Sequence, residues 1–594
     1  MLIYRKFLDL FLPKSYNYSI IKVFCEEYVM KYLYAIHTPT EKIFFDADVF
    51  SAHSGVYKHG EYTLKTNITC KRGYNIYELE VSAEEQREVY LSVFAEGGNE
   101  IYSFNGACKN ERIFRQSPHD YKNYTFKMEK SAIPMIAIIG EAHSEILVSD
   151  NPSFFENATT QHILPDEACA YLSSGDPGGA PNCDETEDFA PIYHRIDKNT
   201  SHIFRFIAFR SDAIELKGIR RDVYKAIEEV WGSGSTSLYK AYCFAGNYMH
   251  MRKNEKGTSE KWIVAGIQYA NCQYFRDSFY QTLIMDAETE AQCYNALGKD
   301  SIYNAENPLM YLIWSYRLKK NGKAYNKELV DFAYNTMTDC MDKYGGGGFY
   351  PNCRKDGDFR NWFDICAYEF SDVDAYTQGL CICALECAEN MGYDIGTRKQ
   401  DAIARYASLY DGEYIPMSEK KRYLALDVSV GEVLYYMLFG KTFISDEAFL
   451  KTYRRICDGA SRTPYGIKIV SAPDGSYLPI EAYGLGEYVH PGFYQLDTGR
   501  YANGGSYHVY ELLFHIAAYV HGAHDAEENL TARLMIDLDF DGATHEYMHT
   551  VRGNGVKANQ GWNAGIYAIW ETLVKRGEAG SAFFDAADKK LESI

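Results

Sequence analysis

Basic residues are scarce in this sequence of 594 amino acids. It contains 61 Lys and Arg against 81 Asp and Glu, which gives a formal net charge of −20. The phosphate backbone of a nucleic acid repels a chain this acidic, and no basic run interrupts the excess of acid. We therefore expect a protein that does not bind nucleic acid.

Long apolar runs are missing as well. No stretch approaches the roughly 18 consecutive apolar residues that a transmembrane helix needs, so we expect no membrane partner. Residues 1–40 have short apolar stretches that are broken by Arg5, Lys6, Asp9 and Lys14, and no cleavage site of small residues follows them. This segment is interpreted as an N-terminal helical arm and not as a signal peptide.

Cysteine pairs with a recognisable spacing are the third absence. The 15 cysteines are odd in number, and no pair with the spacing of metal ligands has a matching second pair. Cys381, Cys383 and Cys387 stand in GLCICALECA, where we expect small apolar residues of a buried helix. Free thiols in this number are typical of a reducing compartment, which predicts a cytoplasmic location. Neither a metal nor a cofactor is expected.

The chain has two parts with different hydrophobic patterns, one after the other. Residues 41–210 alternate apolar and polar positions in short β-forming runs such as YNIYELEVS and HIFRFIAFR, which predicts an antiparallel β-sandwich. Residues 211–236 have the period of an amphipathic helix and are interpreted as a linker. From residue 237 to 594 the pattern is helical. The whole chain has 46% hydrophobic and 24% charged residues, the composition of a globular protein.

The helical part alternates two kinds of helix. YHVYELLFHIAAYV is apolar on almost every side, whereas TRKQDAIARYASLY has a charged face. Two concentric rings of helices require this alternation of buried and surface helices. The sequence therefore predicts an (α/α)6 toroid, or barrel, for residues 237–594. Its long polar loops are the expected location of the functional site.

Two carboxylates on separate loops suit the hydrolysis of a glycosidic bond. An inverting enzyme needs one protonated and one ionised carboxyl on opposite sides of the bond. Asp364 follows Trp362 in RNWFDICAYEF, where aromatic neighbours favour a protonated acid, and Glu546 lies on a polar loop that suits a base. Four nearby residues compete for the role of Asp364: Asp356, Asp358, Asp372 and Asp374.

Four segments resemble one group of enzymes, in the same order along the chain. QYFRDSFYQTL resembles the Trp-Gly-Arg-Asp-Thr-Phe stretch of glycogen-debranching enzymes, and NWFDI resembles their Thr-Trp-Met-Asp-Ala. NGGSYHVYELLFHIAAYVHG is similar to the Gly-Pro-Val-Trp helix of trehalases and mannosyl-oligosaccharide glucosidases. HEYMHTVRGNG followed by QGWNAGIYAIW resembles the ending of the same enzymes. The resemblance covers about two thirds of the chain, the predicted toroid.

The resemblance implies an inverting (α/α)6 glycosidase that acts on an oligosaccharide with an α-linked, gluco-configured sugar. By motif position, Asp364 would be the acid and Glu546 the base. The substrate-binding residues implied by the same segments are Tyr274, Arg276, Asp277, Trp362, Tyr507, Gln560 and Trp562. Ser506-Tyr507 replaces Pro-Val-Trp, and Asn563 follows Gly561-Trp562 where the relatives have Thr, so the identity of the sugar stays open.

Other interpretations use the same residues. His545-Glu546-x-x-His549 matches the zinc-peptidase pattern, with Glu571 as a third ligand, provided that both histidines share one face of a helix. A polysaccharide lyase on the same toroid would use a Tyr–His pair such as Tyr507-His508. A sugar phosphorylase, or a carbohydrate-binding protein without activity, would also suit the toroid.

Each site residue also has a purely structural interpretation. Arg276-Asp277 would be an ion pair on the protein surface, and Glu546 would be a solvated loop residue. Trp562 would be an ordinary core residue. The oligomeric state is not determined by the sequence.

Overall fold

A computed structural model describes most of the chain. The described residues are 31–45, 54–96, 100–102, 107–108, 128–129, 135–149, 160–164, 169–175, 193–231, 248–253, 259–264, 274–284, 287–295, 297–298, 305–346, 348–351, 372–479, 482, 498–540, 545–558 and 560–584. They fall into two compact units. The first contains the described residues up to Trp231, and the second contains those from Tyr248 onward.

The described part of the first unit consists of antiparallel strands and one helix. Its strands are β1 (Lys31–His37), β2 (Lys42–Phe45), β3 (Gly55–His59), β4 (Tyr62–Lys71), β5 (Tyr74–Ala83), β6 (Arg87–Glu96), β7 (Glu100–Tyr102), β8 (Ala107–Cys108), β9 (Met128–Glu129), β10 (Met135–Ile139), β11 (Ser144–Ser149), β12 (Thr160–Leu164), β13 (Cys169–Ser173), β14 (His194–Ile196) and β15 (Ser201–Ser211). One sheet has the order β2-β1-β6-β13-β12-β9, with β14 also paired to β6. The other has the order β3-β4-β5-β15-β11-β10-β7-β8.

The longest hairpin shows why the alternating pattern folds in this way. Strands β4 and β5 pair from Tyr62 to Lys71 across the two-residue turn Arg72-Gly73. Both turn residues have positive φ, 54° and 89°, the conformation that a tight hairpin turn requires. Alternate side chains such as Leu64 and Leu79 are buried. The antiparallel strands predicted for this part of the chain are present.

The two sheets share one hydrophobic core. Ile36 and Val93 of the first sheet belong to the same buried cluster as Leu64, Leu79 and Phe206 of the second. The helix of this unit, α1 (Leu216–Trp231), packs on β11 and β15. It lies within the segment that the sequence predicts as a linker.

Residues 31–37 differ from the predicted helical arm. They form strand β1, which is paired on both sides by β2 and β6. Tyr34, Ala35 and Ile36 are all buried, so both faces of this strand are covered, since successive side chains point to opposite faces. Aromatic and β-branched residues favour such a position. The rest of the predicted arm, residues 1–30, lies outside the described residues.

The second unit is mainly helical. Its helices are α2 (Phe275–Gln281), α3 (Ala287–Asn295), α4 (Asn307–Lys320), α5 (Lys327–Tyr344), α6 (Ala375–Met391), α7 (Arg398–Ala407), α8 (Val430–Phe439), α9 (Asp446–Cys457), α10 (His508–Val520), α11 (Ala526–Phe540) and α12 (Trp562–Trp570). The short strands are β16 (Tyr248–Lys253), β17 (Ser259–Val264), β18 (Leu424–Ala425), β19 (Arg462–Thr463), β20 (Gly466–Ile467), β21 (Val470–Ser471), β22 (Ser506–Tyr507), β23 (His545–Met548) and β24 (Gly555–Ala558).

Buried and amphipathic helices alternate in this unit, as the sequence predicts. Every residue of α6 from Ala375 to Ala388 is buried, and so are eleven residues of α10. In α7, by contrast, only Ala402 and Tyr406 are buried. The cysteines of α6, at positions 381, 383 and 387, are free and buried, which confirms them as core residues.

The even-numbered helices contact one another in a closed order. Helix α2 packs on α4, α4 on α6, α6 on α8, α8 on α10, α10 on α12, and α12 again on α2. Glycine permits two of these contacts: a side chain at Gly431 would overlap the backbone of Gly379, and one at Gly565 would overlap the carbonyl of Tyr280. Among the described helices, none combines the length and the apolar composition that crossing a membrane requires.

Candidate active site

Arg276, in the first turn of α2, is the centre of a buried ionic cluster. Its Nη1 donates to Glu306 Oε1 at 3.1 Å, and its Nη2 lies 3.4 Å from Asp277 Oδ2. The guanidinium also lies 4.8 Å from the centre of the Trp562 ring, a cation–π arrangement. The side chains of Arg276, Asp277 and Glu306 are only 15%, 6% and 5% exposed. The interpretation of Arg276-Asp277 as a surface pair is therefore wrong.

Glu306 joins this site from the position immediately before α4, and the sequence analysis missed it. Its Oε2 accepts a hydrogen bond of 2.6 Å from the hydroxyl of Tyr376 in the first turn of α6. The sequence contains one indication that Glu306 belongs to a buried site. Glu306-Asn307-Pro308 places an acid at the start of a helix whose residues are apolar almost throughout, and a carboxylate there needs a partner.

Aromatic rings complete the cluster. Tyr510, in the first turn of α10, contacts Tyr376 at 6.4 Å and Trp562 at 5.9 Å between ring centres. Trp562 is the first residue of α12. The first turns of α2, α6, α10 and α12 and the residue before α4 thus bring side chains to one place. We call this set the Arg276 cluster: Arg276, Asp277, Glu306, Tyr376, Tyr510 and Trp562.

Glu546 lies beside this cluster on β23, which is paired with β22 and β24. It is only 7% exposed, so the interpretation as a solvated loop residue is wrong. Burial and the neighbouring Asp277 together raise its pKa to about 8, against the opposing effect of Arg276. Burial also raises the pKa of Asp277 to about 6, against the attraction of Arg276. Two carboxyl groups at this site therefore change their protonation near neutral pH, as acid–base catalysis requires.

The zinc-peptidase alternative does not fit the segment that contains Glu546. His545–Met548 is a β-strand and not a helix, so His545 and His549 do not share the helix face that the motif needs. His549 Nδ1 instead accepts from the backbone N–H groups of Val551 and Arg552. Within the described ranges, no group of three or more His, Cys, Asp or Glu is arranged to hold a metal ion.

The Tyr507–His508 pair of the lyase alternative is divided between two environments. Tyr507 contacts Tyr510 at 5.9 Å and lies near Glu546. His508 is fully buried and hydrogen-bonded through Nδ1 to Asp537. Burial lowers the pKa of His508, against the attraction of Asp537. These two side chains therefore do not form one acid–base pair.

The other predicted site residues lie in several places. Tyr274 precedes α2 and is 38% exposed, whereas Gln560 and Trp562 are buried at the start of α12. Two competitors for the acid role have structural partners: Asp374 caps α6 by accepting from Thr377 N at 2.8 Å, and Asp372 accepts from Ser418. The predicted acid and its aromatic neighbour, Asp364 and Trp362, and the competitors Asp356 and Asp358, lie outside the described residues.

Comparison with known proteins gives distant likenesses. No family model and no curated protein matches the chain. An uncharacterized conserved protein from Thermus thermophilus is similar, with 13% identity and a TM-score of 0.34, over 50% of this chain and 92% of that one. The GH63 mannosylglycerate hydrolase from the same organism gives 12% identity and a TM-score of 0.35, over 50% and 93%. A polysaccharide lyase gives 10% identity and a TM-score of 0.23, over 92% of both chains. These TM-scores are too low for the likenesses to indicate a function.

Proposed function

We propose that this protein is a carbohydrate-active enzyme that hydrolyses a glycosidic bond at the Arg276 cluster and Glu546. One observation carries the proposal: Arg276, whose side chain is 15% exposed, is held between Asp277 and Glu306, against the face of Trp562, with Glu546 next to it. Carboxyl and guanidinium groups bind sugar hydroxyls, and an aromatic face stacks on the apolar side of a sugar ring. The same site provides titratable carboxyls for acid–base chemistry.

The mechanism retains the roles that the motif positions imply. Asp364 protonates the leaving oxygen, and Glu546 accepts the proton of a water molecule on the opposite face of the sugar. Glu546 must be ionised for this role, and burial opposes its ionisation in the free protein. A substrate whose hydroxyls donate hydrogen bonds to the carboxylate would stabilise the ionised form. Arg276 and Asp277 orient the sugar that is cleaved.

The closed order of the even-numbered helices supports the (α/α)6 toroid as the architecture of residues 237–594. In this proposal α2, α4, α6, α8, α10 and α12 form the inner ring, and the odd-numbered helices form the outer one. The Arg276 cluster would then lie at the end of the ring where the inner helices begin. Side chains from five inner helices, or from the residue before one, support this arrangement.

The charges of the site favour a neutral sugar and hydrolysis over the alternatives. Arg276 is already bonded to Glu306 and lies next to Asp277, so it has little capacity to neutralise the carboxylate of a uronate, which a lyase requires. A phosphate ion, which a phosphorylase needs, would meet the carboxyls of Asp277, Glu306 and Glu546. We propose a neutral oligosaccharide with an α-linked, gluco-configured sugar as the substrate, and a cytoplasmic location. The proposed reaction requires no metal or cofactor.

A panel of α- and β-linked disaccharides and aryl glycosides tests the proposal. Turnover that resists EDTA, with the product anomer inverted when followed by NMR, is the expected result. Asp364→Asn and Glu546→Gln should each lower kcat by several orders of magnitude. Glu386→Gln is the matched control, because Glu386 is 8% exposed and Glu546 is 7% exposed, and Glu386 lies near the end of α6. Full activity of Glu546→Gln, or no turnover of any glycoside, would contradict the proposal.

A further inference from the structure

A buried ionic network lies behind the strand that bears Glu546. Its centre is Asp537 of α11, which is fully buried and accepts from Arg533 Nη1 at 2.8 Å, from His545 Nδ1 at 3.3 Å and from His508 Nδ1. Burial by itself would raise the pKa of Asp537, but Arg533 and His508 lower it below its ordinary value. Asp537 is therefore an ionised carboxylate with three fixed donors.

The network forms hydrogen bonds with both strands of the site. Arg533 Nε donates to Ser506 Oγ at 3.1 Å and to Glu511 Oε2 at 3.1 Å, and Ser506 begins β22. On β23, the side chain of His545 is bonded to Asp537, and its backbone oxygen accepts from Asn563 Nδ2 at 3.1 Å. His545 is thus fixed by α11 through its ring and by α12 through its backbone.

Glu546 is the next residue of the same strand. Successive side chains of a strand point to opposite faces, so a residue held on one face determines where its neighbour is directed on the other. Asp277, Arg276, Tyr507 and Tyr547 are titratable or charged groups that interact electrostatically with Glu546. None of these residues belongs to the network around Asp537. The position of the Glu546 carboxyl therefore depends on contacts made behind it.

We propose that His545 and Asp537 are positioning residues that hold Glu546 against Asp277 and Arg276. The expected effect on kcat rests on the proposed function. The claim that His545 and Asp537 hold strand β23 in position does not. A displacement of about 1 Å of a catalytic group costs roughly 100-fold in rate. A buried histidine that is hydrogen-bonded to an ionised carboxylate has little freedom to move, and this prevents such a displacement.

Two substitutions of one residue separate positioning from packing. His545→Leu removes the donor to Asp537, and His545→Asn keeps an N–H donor near the position of Nδ1. The matched control is His521→Leu, because His521 is also buried and bonded to two carboxylates, Glu432 at 3.0 Å and Asp446 at 2.8 Å. His521 directly follows α10, at the end opposite to Tyr510. Asp537→Asn replaces His545→Leu if the latter does not fold.

Steady-state kinetics give the first result. For His545→Leu we expect kcat to fall by roughly 10- to 100-fold with little change in KM. The limb of the pH profile of kcat/KM that belongs to Glu546 should move to lower pH, because water that reaches a loosened carboxyl favours its ionised form. His545→Asn should recover most of kcat, and His521→Leu should change thermal stability only. An unchanged pH limb in His545→Leu would overturn the proposal.

Hydrogen–deuterium exchange of the peptide that contains residues 545–548 gives a second result without any substrate. Exchange should be faster in His545→Leu than in the wild type and in His545→Asn, with no change in His521→Leu. If the wild-type enzyme cleaves no glycoside but exchange responds in this way, the proposed function fails and the positioning of the strand stands. If exchange at this peptide is the same in all variants, the positioning role is refuted.

Discussion

Replacing Glu546 by glutamine should stabilise the protein in alkaline solution while it abolishes activity. Burial raises the pKa of Glu546 from its ordinary value of 4.5 to about 8. The folded protein therefore holds a proton that the unfolded chain releases between these two pH values. As pH rises through this window, the wild type loses stability. The unfolded chain gains free energy by releasing the proton, whereas the folded protein can release it only by leaving a buried negative charge. Glutamine is neutral at every pH and avoids this loss.

The size of the effect follows from the same two values. Each pH unit between them corresponds to ~1.4 kcal/mol of free energy for one proton. The advantage of Glu546→Gln should be absent below pH 4.5, should grow across the window, and should level off above pH 8. Its upper value is about 5 kcal/mol. Most substitutions of buried residues destabilise a protein, so the sign alone is informative.

Urea unfolding at pH 5, 7 and 9, followed by tryptophan fluorescence, measures this difference. Glu386→Gln is again the control. Glu386 is 2.7 Å from Lys399 Nζ, so its replacement removes an ion pair and brings no stabilisation in alkaline solution. An advantage of Glu546→Gln that is the same at all three pH values, or a loss of stability at pH 9, would refute the reasoning about burial.

Three further predictions concern the same unit. If Glu546 is the base, the limb of kcat/KM that rises with pH should have its midpoint near pH 8; a profile with no rising limb there, and a fall with its midpoint near pH 8, would make Glu546 the acid. Tyr376→Phe removes the 2.6 Å bond to the buried Glu306 and should cost ~1–3 kcal/mol of stability, measured by urea unfolding; no loss would mean that the Glu306 carboxylate finds another donor. The methyl group added in Gly565→Ala would overlap a backbone carbonyl of α2, whereas the one added in Gly298→Ala would meet open space. We expect only the former to lose ~1–3 kcal/mol in thermal unfolding, and equal melting temperatures would contradict the close packing.

The sequence was sufficient for the parts of the fold that local patterns determine. Alternation predicts the strands of the first unit, and the change to a helical period marks the second. The sequence motifs also name Arg276, Asp277, Glu546 and Trp562, which the structure brings together although Trp562 follows Arg276 by nearly half of the chain. The roles of these residues remain predictions.

Other features depend on contacts that no local pattern contains. Glu306, Tyr376 and Tyr510 lie at the beginnings of helices with ordinary apolar sequences, and only the packing of α4, α6 and α10 brings them to Arg276. The strand at residues 31–37 was missed because its apolar residues suit a helix equally well until β2 and β6 pair with it. The zinc motif is a local pattern that predicts a site the structure does not support. HExxH places its two histidines on one face only in a helix, and His545–Met548 is a strand.

The contact between α2 and α12 also determines when the Arg276 cluster can form during synthesis of the chain. While a ribosome makes the chain, α2 emerges long before α12, and the guanidinium of Arg276 lacks the ring of Trp562 until α12 has left the exit tunnel. Contacts so distant in sequence form late, because closing a long loop has an entropic cost that local contacts do not share. The Arg276 cluster is therefore incomplete in the nascent chain, and we expect the proposed activity to begin only when α12 has docked on α2.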